Sequence, residues 1–259
     1  MNVAMYGGSF DPVHTGHLAV AKAAMERFDL GRVYFVPADV QPLKRNQQAT
    51  AYYHRFAMLA LALQSEKNLL PSLLEAPEVI QRTGELMSYS IETVQRFRAG
   101  LKKSDRLFFL VGIDAILSIA KWRSPVELLR ECEFIVASRP GYSLGDVAEA
   151  LPEEMRPPEK MTRMFKANPA HGDLVHGGAV VHLLNDVNVD VSATEIRAAI
   201  AKGRPITKFV GTAVAEYIKK TKLYRAEADA GSPPLPRPKV EQPPKPKLQL
   251  VHGKSRSSR

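Results

Sequence analysis

Short apolar runs alternate with longer amphipathic stretches along most of this 259-residue chain. Some runs are apolar at every position, as in Val33-Tyr34-Phe35-Val36, which is typical of strands buried on both faces. The predicted strands cover residues 3–6, 32–37, 107–111, 133–137 and 180–184. The predicted helices cover residues 17–28, 52–63, 89–100, 127–131, 195–202 and 212–220. Strands and helices that alternate with short connections predict an α/β fold with a doubly wound, Rossmann-like parallel sheet.

Two stretches depart from this alternation. Residues 145–180 are interrupted by prolines, and we predict an irregular, insertion-like surface loop there. His171, His176 and His182 are scattered along its second half and beyond, without the spacing of a metal-ligand pair, so no metal site is predicted. Residues 226–259 contain seven prolines and few large apolar residues, which predicts a disordered basic tail after a domain at 1–225.

Composition and charge narrow the class of protein. Hydrophobic content of 45% and charged content of 24% are ordinary for a globular protein. The net charge is +9, of which the tail carries +4, because it has seven Lys and Arg against three Asp and Glu. The remaining +5 suits an enzyme that binds polyanionic small substrates, and it does not require a specific nucleic acid partner.

The single cysteine, Cys132, excludes an internal disulfide and fits a reducing compartment. We expect it to be a small buried residue beside the strand at 133–137. No apolar run approaches the ~20 residues that span a bilayer, and the start lacks a basic segment followed by a hydrophobic one. These features predict a cytoplasmic protein that is not inserted in a membrane.

The segment at 7–17, Gly-Gly-Ser-Phe-Asp-Pro-Val-His-Thr-Gly-His, directly follows the first predicted strand and precedes an apolar helix. The free N–H groups and positive dipole end of such a helix start attract a phosphate. Glycine lets a backbone approach a ligand closely, and His14 and His17 lie one turn apart on one helix face. We therefore predict a phosphate site at this loop, whereas either histidine alone would indicate no more than a satisfied polar residue.

This segment resembles the signature of the nucleotidylyltransferase superfamily, in the form used by nicotinate-nucleotide adenylyltransferases. His14 and His17 match its His-x-Gly-His element. The resemblance implies ATP-dependent adenylyl transfer with pyrophosphate as the leaving group. The motif alone leaves the acceptor open, because cytidylyltransferases and pantetheine-phosphate adenylyltransferases carry close variants.

Three further segments resemble this superfamily. Residues 191–197 resemble its second signature, with Ala193 in place of a serine, and alone they would indicate a plain helix cap followed by Arg197. Residues 37–44 resemble a loop whose lysine, here Lys44, reaches the phosphates, although Gln41 and Leu43 depart from the pattern. Residues 54–58 resemble a helix motif of the family, for which core packing with Arg55 as a surface arginine and a ligand contact are equally good interpretations.

Two segments resemble the acceptor site of the nicotinate enzymes, namely 82–93 and 112–122. The resemblance implies that the nicotinate carboxylate is held by backbone N–H groups around Ser90 and Arg123. Trp122, the only tryptophan, offers a flat face for a pyridine ring. The residues that the resemblance assigns to nicotinate mononucleotide are Tyr89, Ser90, Gly112, Asp114, Trp122 and Arg123.

The chain is accordingly predicted to be an adenylyltransferase of NAD biosynthesis that joins ATP and nicotinate mononucleotide, with Mg²⁺ accompanying ATP. The predicted catalytic residues are His14, His17, Lys44 and Arg197. The predicted ATP-binding residues are Gly7, Gly8, Ser9, Phe10, Ser192, Thr194 and Arg197. An adenylyltransferase for nicotinamide mononucleotide or phosphopantetheine, and a nucleotide-binding regulator without catalysis, remain as alternatives, and association into a homo-oligomer is left open.

Overall fold

The computed structural model describes residues 1–40, 49–84, 87–167, 172–185, 187 and 191–225. The strands in this part of the chain are β1 (Asn2–Gly8), β2 (Leu30–Pro37), β3 (Leu69–Pro71), β4 (Arg106–Gly112), β5 (Glu133–Ala137), β6 (Asp173–His176) and β7 (Ala179–Leu184). They form one sheet in the order β3-β2-β1-β4-β5-β7-β6, in which β6 alone is antiparallel to its neighbour. The chain winds outward from β1 in both directions, which confirms the prediction of a doubly wound parallel sheet.

The helices fill the connections between strands. They are α1 (Thr15–Phe28), α2 (Tyr52–Leu63), α3 (Pro77–Arg82), α4 (Ser90–Ala99), α5 (Ile113–Ile116), α6 (Pro125–Glu131), α7 (Leu144–Ala150), α8 (Glu159–Ala167), α9 (Ala193–Ala201), α10 (Thr207–Val210) and α11 (Thr212–Thr221). Within the described residues, short 3₁₀ helices also cover Ile119–Lys121 and Glu153–Met155. Where a helix was predicted, its observed ends lie within two residues of the predicted ones.

The core lies on both faces of the sheet because successive side chains of a strand point to opposite sides. In β1, Val3 and Met5 pack on the face covered by α4, α6 and α7, while Ala4 and Tyr6 pack on the face covered by α1, α2 and α11. Cys132 is 7% exposed in the first of these layers, as expected, and burial raises the pKa of its thiol. Helices on both faces explain why the strand runs are apolar throughout.

The prediction of a surface loop at 145–180 is wrong. This stretch contains most of α7, all of α8, a 3₁₀ helix and the edge strand β6, and it buries Leu151, Met155 and Leu174. Pro152 is the N-cap of the 3₁₀ helix at Glu153–Met155, and Pro158 directly precedes α8, so these prolines stand at the boundaries of elements. Ser143 and Asp146 form a capping box at the start of α7, which is the local signal that the proline pattern obscured.

His182 is a structural residue of β7 and is 8% exposed. Its Nδ1 lies 2.6 Å from a carboxylate oxygen of Asp173 on β6, and its Nε2 lies 3.0 Å from one of Glu133 on β5. This pair of contacts ties together the three neighbouring strands β5, β7 and β6. His176 lies on β6, and His171 falls outside the described residues.

The carboxyl ends of β2, β1, β4 and β5 meet along one edge of the sheet. Gly8 at the end of β1 pairs with Pro37 of β2, and Gly112 at the end of β4 pairs with Ala137 of β5. β1 and β4 are neighbours whose following segments cross to opposite faces, and ligands of doubly wound sheets bind at such a point. The fold therefore places the loop after Gly8 and the loop after Gly112 next to each other.

The described part of the chain contains no helix with both the length and the apolar character that crossing a bilayer requires. Residues 1–225 form one compact unit. The predicted tail at 226–259 lies outside the described residues, so its disorder stays a prediction.

Candidate active site

The loop between β1 and α1 is held by donors that engage its carbonyl oxygens. Ala38 N–H donates to the Gly8 carbonyl at 2.9 Å, which joins the ends of β1 and β2. The Arg55 guanidinium donates to the Ser9 carbonyl at 2.8 Å, and Arg197 donates to the Asp11 carbonyl at 2.7 Å. Because these oxygens are engaged by the protein, the loop presents less negative potential to an anion than a free turn would.

Arg55 is 1% exposed and is the largest fully buried side chain in the described part of the chain. Its Nε donates to the Thr50 carbonyl at 2.7 Å, in addition to its bond to Ser9. The interpretation of Arg55 as a surface arginine is wrong, because its side chain is buried. It cross-links the start of α2 to the loop after β1.

Asp11 completes this network from the other side. Its carboxylate accepts the Thr50 N–H at 3.0 Å and the Tyr224 hydroxyl at 2.5 Å. Arg55 and Asp11 thus bind the same short segment around Thr50, one through its carbonyl and the other through its N–H. The loop is fixed by residues from α2 and from the segment that follows α11, and motif matching did not assign Asp11 or Tyr224 to the site.

Phe10 anchors the same loop to the core. Its backbone has a left-handed φ of 46°, and its ring is 1% exposed. The ring packs against Tyr6, Phe35 and His17 with centroid distances of 5.3, 5.4 and 5.0 Å. Phe10 was predicted to bind ATP, and its buried side chain leaves the backbone as the part that could do so.

His14 and His17 stack on each other at the start of α1, with ring centroids 3.7 Å apart and planes inclined by 28°. The His14 backbone N–H donates to Nδ1 of His17 at 3.2 Å, so the proton of neutral His17 resides on Nε2. Nδ1 of His14 is buried and has no hydrogen-bond partner among the described residues. A ligand could therefore use the Nε2–H of His17, because its Nδ1 is occupied within the protein.

Gly16 allows this stacking. A Cβ at residue 16 would lie 3.0 Å from Nδ1 of His14 and 3.0 Å from a side-chain carbon of Val191, just before α9. A larger residue would push apart the histidine ring and the segment that leads to Arg197. The glycine of the His-x-Gly-His element thus has a packing role as well as a place in the motif.

Both histidines are neutral in the free protein. Burial lowers the pKa of His14 to about 4, and the nearby positive charge of Arg139 acts in the same direction. Burial also lowers the pKa of His17 well below its usual range, with further contributions from His14 and Arg139. Neutral imidazoles act as hydrogen-bond donors without the cost of two buried positive charges in contact.

Arg197 brings the first turn of α9 to this loop. Besides its bond to Asp11, it donates to the Thr194 hydroxyl at 3.3 Å. Ser192 caps the helix, since its hydroxyl accepts the Glu195 N–H at 3.2 Å. The predicted phosphate-binding residues of α1 and α9 therefore lie side by side, with the Ser192 hydroxyl already occupied by the cap.

The residues predicted to bind the acceptor lie at the neighbouring strand end. The Arg123 guanidinium stacks over the Tyr89 ring at 4.6 Å and forms an ion pair with Glu92 at 3.2 Å. This contact joins the start of α4 to the segment after the 3₁₀ helix at Ile119–Lys121. Tyr89 provides no side-chain cap to α4, whose first residue is Ser90.

Phe109 connects the two groups of predicted residues. A Cβ at Gly7 would lie 2.8 Å from its ring, and the half-buried Trp122 indole packs at a centroid distance of 6.4 Å. The indole N–H donates to the Ser118 hydroxyl at 3.0 Å, which fixes the plane of the ring. The space freed by Gly7 is thus used by Phe109 rather than by a ligand.

Arg139 was not predicted, yet it lies between the two groups. It follows β5 and forms an ion pair with Asp114 at 3.3 Å, and both side chains are exposed. It also lies close enough to lower the pKa of His14 and His17. The signal available in the sequence was its position just after a strand of the parallel sheet.

Comparison with known proteins assigns the chain to a family. Residues 5–199 match the cytidylyltransferase-like family model. The probable nicotinate-nucleotide adenylyltransferase of Pelobacter propionicus is 35% identical over 225 residues, which cover 86% of this chain and 98% of that protein. That of Moorella thermoacetica is 35% identical over 227 residues, which cover 88% and 93%. The chain belongs to the nicotinate-nucleotide adenylyltransferase family.

A solved structure has a fold similar to that of this family member. The nicotinic acid mononucleotide adenylyltransferase of Plasmodium falciparum, complexed with NaAD, superposes with a TM-score of 0.62. It is 19% identical and covers 86% of this chain and 97% of its own. This likeness agrees with the fold predicted from the sequence.

Among the predicted site residues of this adenylyltransferase, Lys44 lies outside the described residues. The described ones form two adjacent groups. The first is Gly7, Gly8, Ser9, Phe10, His14, His17, Ser192, Thr194 and Arg197, and the second is Tyr89, Ser90, Gly112, Asp114, Trp122 and Arg123. Their roles in binding remain predictions.

The low pKa of His14 predicts a pH-dependent stability. In the unfolded chain His14 has a pKa of 6.5 and takes up a proton below that pH. In the folded chain His14 takes up this proton only near pH 4. Between pH 7 and 5.5 this group should therefore remove about 1 kcal/mol from the free energy of unfolding. Chemical denaturation at both pH values should show a smaller loss in His14→Gln than in the wild type.

His176→Gln serves as the matched control for this measurement, because His176 lies on the edge strand β6, away from the loop. It should retain the pH dependence of the wild type. If the free energy of unfolding changes equally with pH in His14→Gln and in the wild type, His14 is not buried in its neutral form.

Proposed function

We infer that this enzyme transfers AMP from ATP to nicotinate mononucleotide, which yields deamido-NAD and pyrophosphate. The observation that carries this inference is the 35% identity to a probable nicotinate-nucleotide adenylyltransferase over 98% of that protein's length. Residues 5–199, which match the family model, include both groups of residues described above. A cytoplasmic location, predicted from the sequence, belongs to the same proposal.

The reaction is an in-line displacement at the α-phosphorus of ATP. An oxygen of the mononucleotide phosphate forms a bond to this phosphorus, while the bond from the phosphorus to the oxygen bridging toward the β-phosphate breaks. Pyrophosphate leaves with that oxygen and its electron pair. The attacking phosphate is largely ionised at pH 7, so the enzyme needs no general base.

Catalysis then consists of positioning and charge stabilisation. His17 carries its proton on Nε2, because Nδ1 accepts a backbone hydrogen bond, and can donate to a phosphate oxygen. Arg197, held beside the Asp11 carbonyl, supplies a fixed positive charge at the same loop. An arriving polyphosphate would also raise the low pKa of the histidines, and their donor strength would increase with the negative charge they face.

Mg²⁺ would enter with the phosphates of ATP rather than in a preformed protein cage. Both carboxylate oxygens of Asp11 are occupied, by Thr50 and Tyr224, and Asp114 is paired with Arg139. The described residues include no group of three or more His, Cys, Asp or Glu placed to bind a metal ion. The bound metal would neutralise phosphate charge, and the chain's own donors would hold the oxygens that it leaves free.

The second group of residues suits a pyridine carboxylate. Ser90 begins α4, and the N–H groups and dipole of a helix start favour a negative group. The neutral amide of a nicotinamide ring would gain less from the same environment. Trp122 is fixed by its bond to Ser118 and offers an aromatic surface near this helix.

The acceptor can be identified by measuring pyrophosphate release with ATP and three candidates in parallel. Nicotinate mononucleotide should give the highest kcat/KM, ahead of nicotinamide mononucleotide and phosphopantetheine. A preference for either of the other two would overturn the assigned acceptor. Release with none of them, in a folded protein that still binds ATP, would favour a regulator.

Replacing His17 by Ala should lower kcat about a hundredfold, because a donor aimed at developing negative charge is lost. KM should change less, since the contact strengthens in the transition state. Steady-state pyrophosphate release measures both constants, with His176→Ala as the control outside the site. A variant with nearly normal kcat would remove His17 from the mechanism.

Replacing Trp122 by Ala should weaken nicotinate mononucleotide far more than ATP, by about 1–3 kcal/mol for a lost stacking surface. Titration of each ligand against the variant measures the difference. Trp122→Phe keeps a flat ring on Phe109 and should recover much of the affinity. Equal losses for both ligands would mean that Trp122 serves only to pack the core.

A further inference from the structure

Glu75 is a buried carboxylate that the adenylyl transfer described above does not use. It lies in the connection between β3 and α3 and is 8% exposed. Its Oε1 accepts the Thr93 hydroxyl at 2.8 Å, whereas its Oε2 is buried and has no hydrogen-bond partner among the described residues. Burial raises the pKa of this carboxyl, although the Thr93 and Ser88 hydroxyls oppose that effect. Burying a carboxylate costs free energy of folding, so a structural role beside the acceptor group would account for its presence there.

Thr93 relays this contact to the start of α4. It is fully buried, its single hydroxyl proton is directed to Glu75 at 2.8 Å, and its backbone N–H donates to the Tyr89 carbonyl at 3.1 Å. Tyr89 in turn carries the Arg123 guanidinium on its ring. A continuous set of contacts therefore runs from Glu75 through Thr93 to the residues proposed to face the nicotinate ring.

Two other buried hydroxyls lie near Glu75. That of Ser88, which directly precedes Tyr89, acts on the pKa of Glu75, and that of Tyr52 at the start of α2 has no hydrogen-bond partner among the described residues. The negative charge of Glu75 helps to raise the pKa of Tyr52, after the larger effect of burial. Packing for stability alone would favour apolar side chains at such positions, because an unsatisfied buried polar group costs free energy.

We propose that Glu75 is a positioning residue for the acceptor site, which sets the orientation of the first turn of α4 through Thr93. It touches no substrate. It accepts the Thr93 hydroxyl, and the Thr93 backbone N–H donates to the Tyr89 carbonyl, so Glu75 fixes the turn that carries the Ser90 N–H proposed to hold the nicotinate carboxylate. This inference rests on the proposed function, since it assigns α4 to the mononucleotide and the loop after β1 to ATP.

The test separates KM for nicotinate mononucleotide from KM for ATP. Thr93→Val and Glu75→Met should each raise the former about fivefold to tenfold, as expected for one lost buried hydrogen bond. KM for ATP and kcat should stay within about twofold, because the contacts around His14 and Arg197 are untouched. A change of general stability would not distinguish the two substrates.

Conservative variants and a double variant sharpen the test. Thr93→Ser and Glu75→Gln keep a hydroxyl and an acceptor, so both should stay within about threefold of the wild type. The double variant Glu75→Met with Thr93→Val should be no worse than either single one, because both remove the same hydrogen bond. Thr162→Val, a buried threonine on α8, is the matched control and should leave both KM values unchanged.

The outcomes separate this inference from the proposed function. If the wild type turns over nicotinate mononucleotide, either of two results would refute the role of Glu75 and leave the proposed function intact. One is that Thr93→Val raises both KM values alike. The other is that the effects of the two substitutions multiply in the double variant. A wild type without activity on this acceptor would refute the proposed function, and the inference with it. If Glu75→Met does not fold, the Thr93→Val and Thr93→Ser pair decides by the same criterion.

Discussion

The candidate site depends on one buried cation, the guanidinium of Arg55. A buried positive charge is stable only when its donors are satisfied, and Arg55 meets this condition with the carbonyl oxygens of Ser9 and Thr50. Burial lowers its pKa, while the nearby Asp11 carboxylate opposes that effect. Because Asp11 also holds the Thr50 N–H and the Tyr224 hydroxyl, the loop after β1 is bound to both α2 and the segment after α11. The start of α1, and with it the histidine pair, follows from this fixed loop.

The electrostatics of the free site are set by burial rather than by ion pairing. His14 and His17 are neutral and stacked, so the site holds two donors without an uncompensated charge pair. The full positive charges, Arg197 and Arg139, stand at its sides and are each held by an oxygen of the protein, the Asp11 carbonyl and the Asp114 carboxylate. Such an arrangement limits self-repulsion before a polyanion arrives and still offers a positive field for it.

The two proposed subsites are coupled by the sheet itself. β1 and β4 are adjacent and parallel, so the loop that follows Gly8 and the segment that follows Gly112 lie at one edge. Phe109 packs under both, against Gly7 on one side and Trp122 on the other. Because one ring supports both segments, core packing fixes the spacing between the two subsites.

The sequence by itself determined the sheet class, most strands and helices, and the two histidines. Those features depend on local periodicity or on spacing within one turn of a helix, which neighbouring residues decide. Only the tertiary structure decided the burial of Arg55, the closure of the loop by Tyr224, the place of Arg139 and the order within 145–180. In each of these cases the partner is distant in sequence, and burial, charge and hydrogen bonding depend on which distant segments the fold brings into contact.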